Sequence, residues 1–82
     1  MLLEVITPDN KVFSGEVTSV QVPGTLGQFE ILNNHAPIIS TLEKGNVRIT
    51  AGSTVKDIII DGGLVEVLHN KIIVLAESVI TQ

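Results

Sequence analysis

Two histidines, nine carboxylates and a scatter of Ser and Thr hydroxyls are the groups in these 82 residues suited to acid–base, nucleophilic or metal chemistry; cysteine is absent. Neither His35 nor His69 has a second His, Asp or Glu at a spacing that would bring both to one metal ion. Ser40 and Thr41 follow His35, but a nucleophile also needs a positioned base and an oxyanion hole, and residues this close on a bent β segment form no such triad. The carboxylates are spread through strands and turns with no pair set apart as acid and base. The glycines are not followed by a helix, so no helix N-terminus is available to hold a phosphate. These patterns favour a binding or structural module over an enzyme, with no cofactor and no metal expected.

The elements that would carry a binding surface are strands. The chain has 11 Val, 11 Ile and 7 Thr against 3 Ala, a bias toward side chains that pack well on a pleated surface. Asn46 to Ala51 alternates cleanly, with Val47, Ile49 and Ala51 on one face. Leu2–Thr7, Val17–Val22, Gln28–Leu32, Thr54–Ile60, Leu64–Leu68 and Lys71–Ala76 are further candidates. Turn chemistry separates them at Pro8-Asp9-Asn10, Lys44-Gly45-Asn46, Ala51-Gly52-Ser53, Asp61-Gly62-Gly63 and His69-Asn70. The last reads as a two-residue hairpin loop. Turns at this interval without any 3.6-residue period predict an all-β sandwich or barrel, a single domain over 1–82.

Three local patterns carry more detail. Val17 is out of phase with Val20 and Val22, so either a bulge sits near Thr18-Ser19 or Val17 faces the other side. Ile58, Ile59 and Ile60 make both faces of one strand apolar, so that strand is covered by a crossing loop or docks a partner. Pro23 to Pro37, PGTLGQFEILNNHAP, sets two tight corners around a short strand and presents His35 in a loop shaped by backbone demands.

Composition narrows the partner. A net charge of -4, from five basic residues against nine acidic ones, argues against nucleic acid. Only Phe13 and Phe29 are aromatic, which leaves no platform for stacking bases. No apolar run approaches the ~20 residues of a membrane-spanning helix, and no signal peptide precedes Leu2. A domain this small buries roughly 60% of its unfolded surface and stands to gain stability from a partner.

The order of segments resembles the epsilon subunit of F-type ATP synthases. It runs LEVITPD (Leu3–Asp9), VFSGEV (Val12–Val17), VPGTLGQFEIL (Val22–Leu32), HAPII (His35–Ile39) and LEKGNVRI (Leu42–Ile49). DGGLVEV (Asp61–Val67) and NKIIVLAES (Asn70–Ser78) follow. Asn33 departs from the pattern, since many relatives place proline there. The resemblance implies a ten-stranded β-sandwich at the foot of the rotating central stalk, peripheral to the cytoplasmic face of an energy-transducing membrane. Its partners would be the gamma subunit and the ring of c subunits, which it would couple during ion-driven ATP synthesis. Gln28, Glu30 and His35, polar positions of the Gly27–His35 segment, are the implied ring contacts. Ile38, Ile39, Ile58 and Ile59 are the apolar surplus for gamma, with Gly45 allowing close approach. Relatives usually continue into a helical hairpin that brakes ATP hydrolysis and in some members binds ATP. This chain, ending at Thr81-Gln82, is expected to resemble the short members, without that brake or ATP binding. One rival reading makes Lys44 the modified lysine of a lipoyl or biotinyl carrier domain, but Leu42 and Gly45 stand where such a lysine usually has acidic or methionine neighbours. A β-sandwich adaptor of another complex is the second.

Overall fold

The computed structural model describes residues 1–81, and every element in it is a strand. In chain order they are β1 (Leu2–Ile6), β2 (Lys11–Glu16), β3 (Ser19–Gly24), β4 (Gly27–Leu32), β5 (Ile38–Ala51), β6 (Thr54–Leu68), β7 (Lys71–Ala76) and β8 (Val79–Thr81). They form one hydrogen-bonded sheet in the order β2-β1-β7-β6-β5-β3-β4, with β8 added to β6. β1 and β7 run parallel and the other pairs are antiparallel.

The two long strands turn this sheet into two layers. The first half of β5 and the second half of β6 pair through Ile38↔Val67 to Leu42↔Gly63, and this part of β6 continues to β7, β1 and β2. The second half of β5 and the first half of β6 pair through Lys44↔Asp61 to Ala51↔Thr54, and this part of β5 continues to β3 and β4. At the junction the inward-facing positions change from even to odd. Leu42 gives way to Val47 and Ile49 in β5, and Ile58 and Ile60 give way to Val65 and Val67 in β6. Gly62 and Gly63, at φ 100° and 153°, make that change possible, because L side chains avoid this backbone region. A Cβ on Gly63 would also strike the carbonyl oxygen of Leu75.

This overturns two expected turns. Residues 44–46 and 61–63 are bends inside continuous strands, so the strand count is eight rather than ten. Each long strand serves both layers, and counting it once in each layer recovers the ten that the resemblance implied. β2, absent from the alternation pattern, is an edge strand whose Lys11, Ser14 and Glu16 are exposed.

Val17 lies between β2 and β3, where the chain leaves one layer for the other. Its N–H donates to the Met1 carbonyl (2.9 Å), and the next N–H, of Thr18, donates to the Thr50 carbonyl (2.7 Å). That crossing supplies the extra residue the phase break required, so Val17, Val20 and Val22 are all buried. They join Leu3, Val5, Ile31, Ile49, Ile72 and Val74 in a core with no buried polar or charged side chain among the described residues. Lys56 closes one side of the sandwich, its Nζ 5.7 Å from the centre of the Phe13 ring, a cation–π contact between the layers.

Candidate partner-binding surfaces

Because successive strand residues point to opposite sides, each layer has an outer face set by the residues the core does not use. In the layer containing β3 and β4 that face is a polar ladder. The row Glu30–Gln21–Arg48–Asp57 crosses four strands in register. Arg48 Nε donates to Asp57 Oδ1 at 3.0 Å, and Asn46 Nδ2 donates to the same oxygen at 2.9 Å. Those bonds, Arg48's first and then Asn46's, hold the Asp57 carboxyl below its usual range, and the same pair raises the Arg48 guanidinium. Both groups are on the surface, so the pair is worth little.

The outer face of the other layer has a different make-up. Leu2, Ile6, Leu64 and Ile73 are half-buried, and Ile39, Leu68 and Leu75 are exposed, Ile39 to 68%. The register sets an apolar row, Leu64↔Leu75↔Ile6, beside a row in which apolar residues alternate with carboxylates, Ile39↔Glu66↔Ile73↔Glu4. Glu4, on the same face, is ion-paired to Lys11 (3.1 Å) and lies 3.9 Å from Lys71. An apolar-rich outer face of this kind is a candidate interaction surface.

A third feature is the hairpin tip between β3 and β4. Thr25 N–H donates to the Thr41 carbonyl (3.1 Å) and the two hydroxyls lie 2.8 Å apart, which ties the tip to β5. Leu26 projects from it fully exposed. It shares a shallow depression with Phe29, Ile38 and Ile39, so apolar surface continues from the tip onto the apolar face.

The residues singled out from sequence fall in different places. Gln28 and Glu30 are exposed on β4, but His35 sits beyond its far end, where its N–H donates to the Leu32 carbonyl at 3.1 Å. The strand from Gln28 to Leu32 alone spans ~13 Å, so the three do not form one cluster. Ile39 is on the apolar face, while Ile38, opposite buried Val67, points the other way and packs against the core. Ile58 is completely buried, its side chain spent on the core. Ile59 is half-buried opposite Asn46, on the polar side. The close approach that Gly45 permits is taken up within the fold, since a Cβ there would lie 2.7 Å from Cβ of Pro23. Lys44 is opposite Asp61 inside a long strand, not on the hairpin tip a carrier lysine needs. His35 Nδ1 donates to the Ala36 carbonyl at 2.7 Å and Ser40 Oγ donates to the Thr41 carbonyl at 3.3 Å, so they serve local backbone. Sequence reasoning missed Leu26, Leu64, Leu68, Ile73 and Leu75. The signal was present in Ile72-Ile73-Val74-Leu75, apolar on both faces just as Ile58–Ile60 is.

The family model of the ATP synthase delta/epsilon chain β-sandwich domain matches residues 1–82. The chain belongs to that family. It is 46% identical over 77 residues to the ATP synthase epsilon chain of Maridesulfovibrio salexigens, covering 94% of this chain and 54% of that one. With the epsilon chain of Chlorobium limicola it shares 45% over 78 residues, 94% of this chain and 89% of that one. The chain thus spans about half the length of the first relative and most of the second. Its fold matches a chain in the Tetrahymena thermophila mitochondrial ATP synthase central stalk/c-ring structure, with a TM-score of 0.84 at 19% identity, over 96% of this chain and 64% of that one. A chain of the Euglena gracilis mitochondrial ATP synthase gives 0.88 at 17% identity, over 95% and 51%.

Proposed function

We propose that this sandwich is a non-catalytic coupling piece of an F-type ATP synthase, seated between the gamma shaft and the c-ring on the cytoplasmic side of the membrane. The apolar outer face formed by Ile39, Leu64, Leu68, Ile73 and Leu75 carries the proposal, because it is the surface with the greatest gain from being covered. The molecule measures 27 × 25 × 21 Å, so its broadest face offers roughly 600–700 Å², near the ~600–1,000 Å² that each partner of a stable interface contributes. Gamma must therefore cover nearly a whole face, which one strand such as Ile58–Ile60 could not supply.

The hairpin tip, with Leu26 and Gln28, is the ring contact in this arrangement, with Glu30 further along the same strand. His35 goes with the loop that leads onto the apolar face and belongs to the gamma side. Support comes from the epsilon-chain relatives and from the central stalk/c-ring assembly that holds a chain of this fold. The experiment is cysteine cross-linking in complexes purified from native membranes. Cysteine at 75 is expected to link to gamma and cysteine at 28 to a c-subunit loop. Linking of gamma to a cysteine at 57 but not at 75 would reverse the assignment of the faces. Failure of the chain to co-purify with gamma, alpha and beta would end the proposal.

A further inference from the structure

Asn70 stands in the two-residue hairpin loop between β6 and β7 with φ 59°. Glycine would satisfy that backbone at least as well, so the turn alone does not explain what its side chain does. Asn70 Oδ1 accepts a bond from the Asn34 N–H at 2.8 Å, and Asn70 Nδ2 donates to Asn33 Oδ1 at 2.9 Å. The orientation is settled by chemistry. A backbone N–H can only donate, so the oxygen of Asn70 must face Asn34 and its amide nitrogen must face Asn33. The carboxamide thus bridges positions 36 and 37 residues away in sequence, joining the end of β4 in one layer to a hairpin in the other. The Asn70 backbone carbonyl also accepts from the Leu2 N–H at 3.3 Å.

The loop from Asn33 to Pro37 otherwise has only local hydrogen bonds among the described residues. His35 N–H reaches back to Leu32, and His35 Nδ1 reaches Ala36. Asn34 adopts φ 64°, a region asparagine enters more readily than other non-glycine residues, and among the described residues the one bond from outside the loop to its N–H is that of Asn70. We propose that Asn70 and Asn33 are a positioning pair, a two-way amide clasp that fixes the His35 loop to the β6–β7 hairpin and so sets the border of the shaft-binding face. The inference rests on the assignment of the apolar face to gamma. It also gives Asn33 a task that proline could not perform, since proline has no side-chain acceptor.

The hydrogen-bond logic makes an unusual set of expectations. Asn33→Asp keeps the clasp, because Asn70 Nδ2 donates to the new carboxylate. Asn70→Asp keeps it too, because the carboxylate accepts from the Asn34 N–H while Asn33 turns its amide to donate. Asn33→Asp with Asn70→Asp opens it at pH 7, since the side-chain bond has no donor left and repulsion between the facing carboxylates drives the side chain at 70 away from the Asn34 N–H as well. Asn70→Gly opens it while preserving the turn. The test is amide hydrogen exchange of Asn34 in the full 82-residue chain, together with its affinity for the purified gamma subunit. With two hydrogen bonds at stake, exchange should rise at least about tenfold in Asn70→Gly and in the double variant, and stay within about twofold in each single Asp variant. Affinity for gamma should fall in the same two variants and recover in the single ones. Unchanged exchange in Asn70→Gly, or single Asp variants as fast as the double, would overturn the clasp. Faster exchange with unaltered affinity would overturn its positioning role. If the unmodified chain fails to bind gamma, the functional reading falls while the exchange pattern still decides the clasp.

Discussion

The outer faces of the two layers are made from the same β-branched stock, yet one is mainly a polar ladder and the other mainly apolar. In β4 and the later half of β5 most alternate residues are polar: Gln28 and Glu30 before Leu32, then Asn46, Arg48 and Thr50. In β7 and the later half of β6 the alternation fails, because Ile73 and Leu75 back onto Ile72 and Val74, and Leu64 and Leu68 back onto Val65 and Val67. A face that only meets water is expected to be polar in an antiparallel sheet. The departure is greatest on one side, although Leu32, Val55 and Ile59 interrupt the polar ladder of the other. One mostly wet and one mostly dry outer face suit a seat between unlike partners.

The most damaging change acts on the junction that keeps the faces distinct. Gly63→Val puts a β-branched side chain at φ 153° and against the Leu75 carbonyl. Strain plus the backbone shift should cost about 3–5 kcal/mol, comparable to the whole stability of a domain this size, and circular dichroism with thermal melting measures the loss. Next comes the apolar face itself. Leu75→Glu should lower gamma affinity at least about a hundredfold, as burying an anchor's replacement charge does, while the melting temperature holds because Leu75 is already 45% exposed. Val55→Glu on the ladder side, at a comparable exposure of 55%, should change it less than about twofold. Equal losses from the two variants would erase the distinction between faces. Leu26→Asp is a smaller test, expected to weaken cross-linking of residue 28 to the ring about tenfold and to leave gamma affinity alone.

The smallest effect belongs to the ladder. Asp57 has its folded pKa lowered by Arg48 and Asn46, so its contribution is present above the usual carboxylate range and fades as pH falls through the folded value. Asp57→Asn should remove that acid-side dependence, with little change in melting at pH 7 because the pair is surface-exposed and salt-screened. Comparing melting against pH for the two proteins between about 2 and 5 checks the sign.

Much of this fold was legible in the chain. The β-branched bias and the turn at His69-Asn70 identified strands and a hairpin whose loop residues do adopt φ 50° and 59°. The phase break after Val17 marked a real irregularity, although its cause, a change of layer, depends on partners distant in sequence. The glycines at 45, 62 and 63 misled because the same residue that ends a strand at a turn also lets a strand bend and continue. The apolar face was readable only halfway. Consecutive apolar residues announce a strand with two dry sides, but Ile58–Ile60 and Ile72–Leu75 announce it equally, and which has its second side covered depends on which strands flank it. Leu26 carried no periodic signal at all, being a single residue at a tip.

The continuity of β5 and β6 through both layers has a mechanical meaning. Two separate sheets held by a greasy interface can creep past each other under torsion, since apolar contact has no preferred lateral register. Here the layers share two covalent backbones bonded to one another from Ile38↔Val67 to Ala51↔Thr54. A twist applied to one outer face therefore travels to the other along stretched peptide and a ladder loaded in parallel, and slippage would require many hydrogen bonds to break at once.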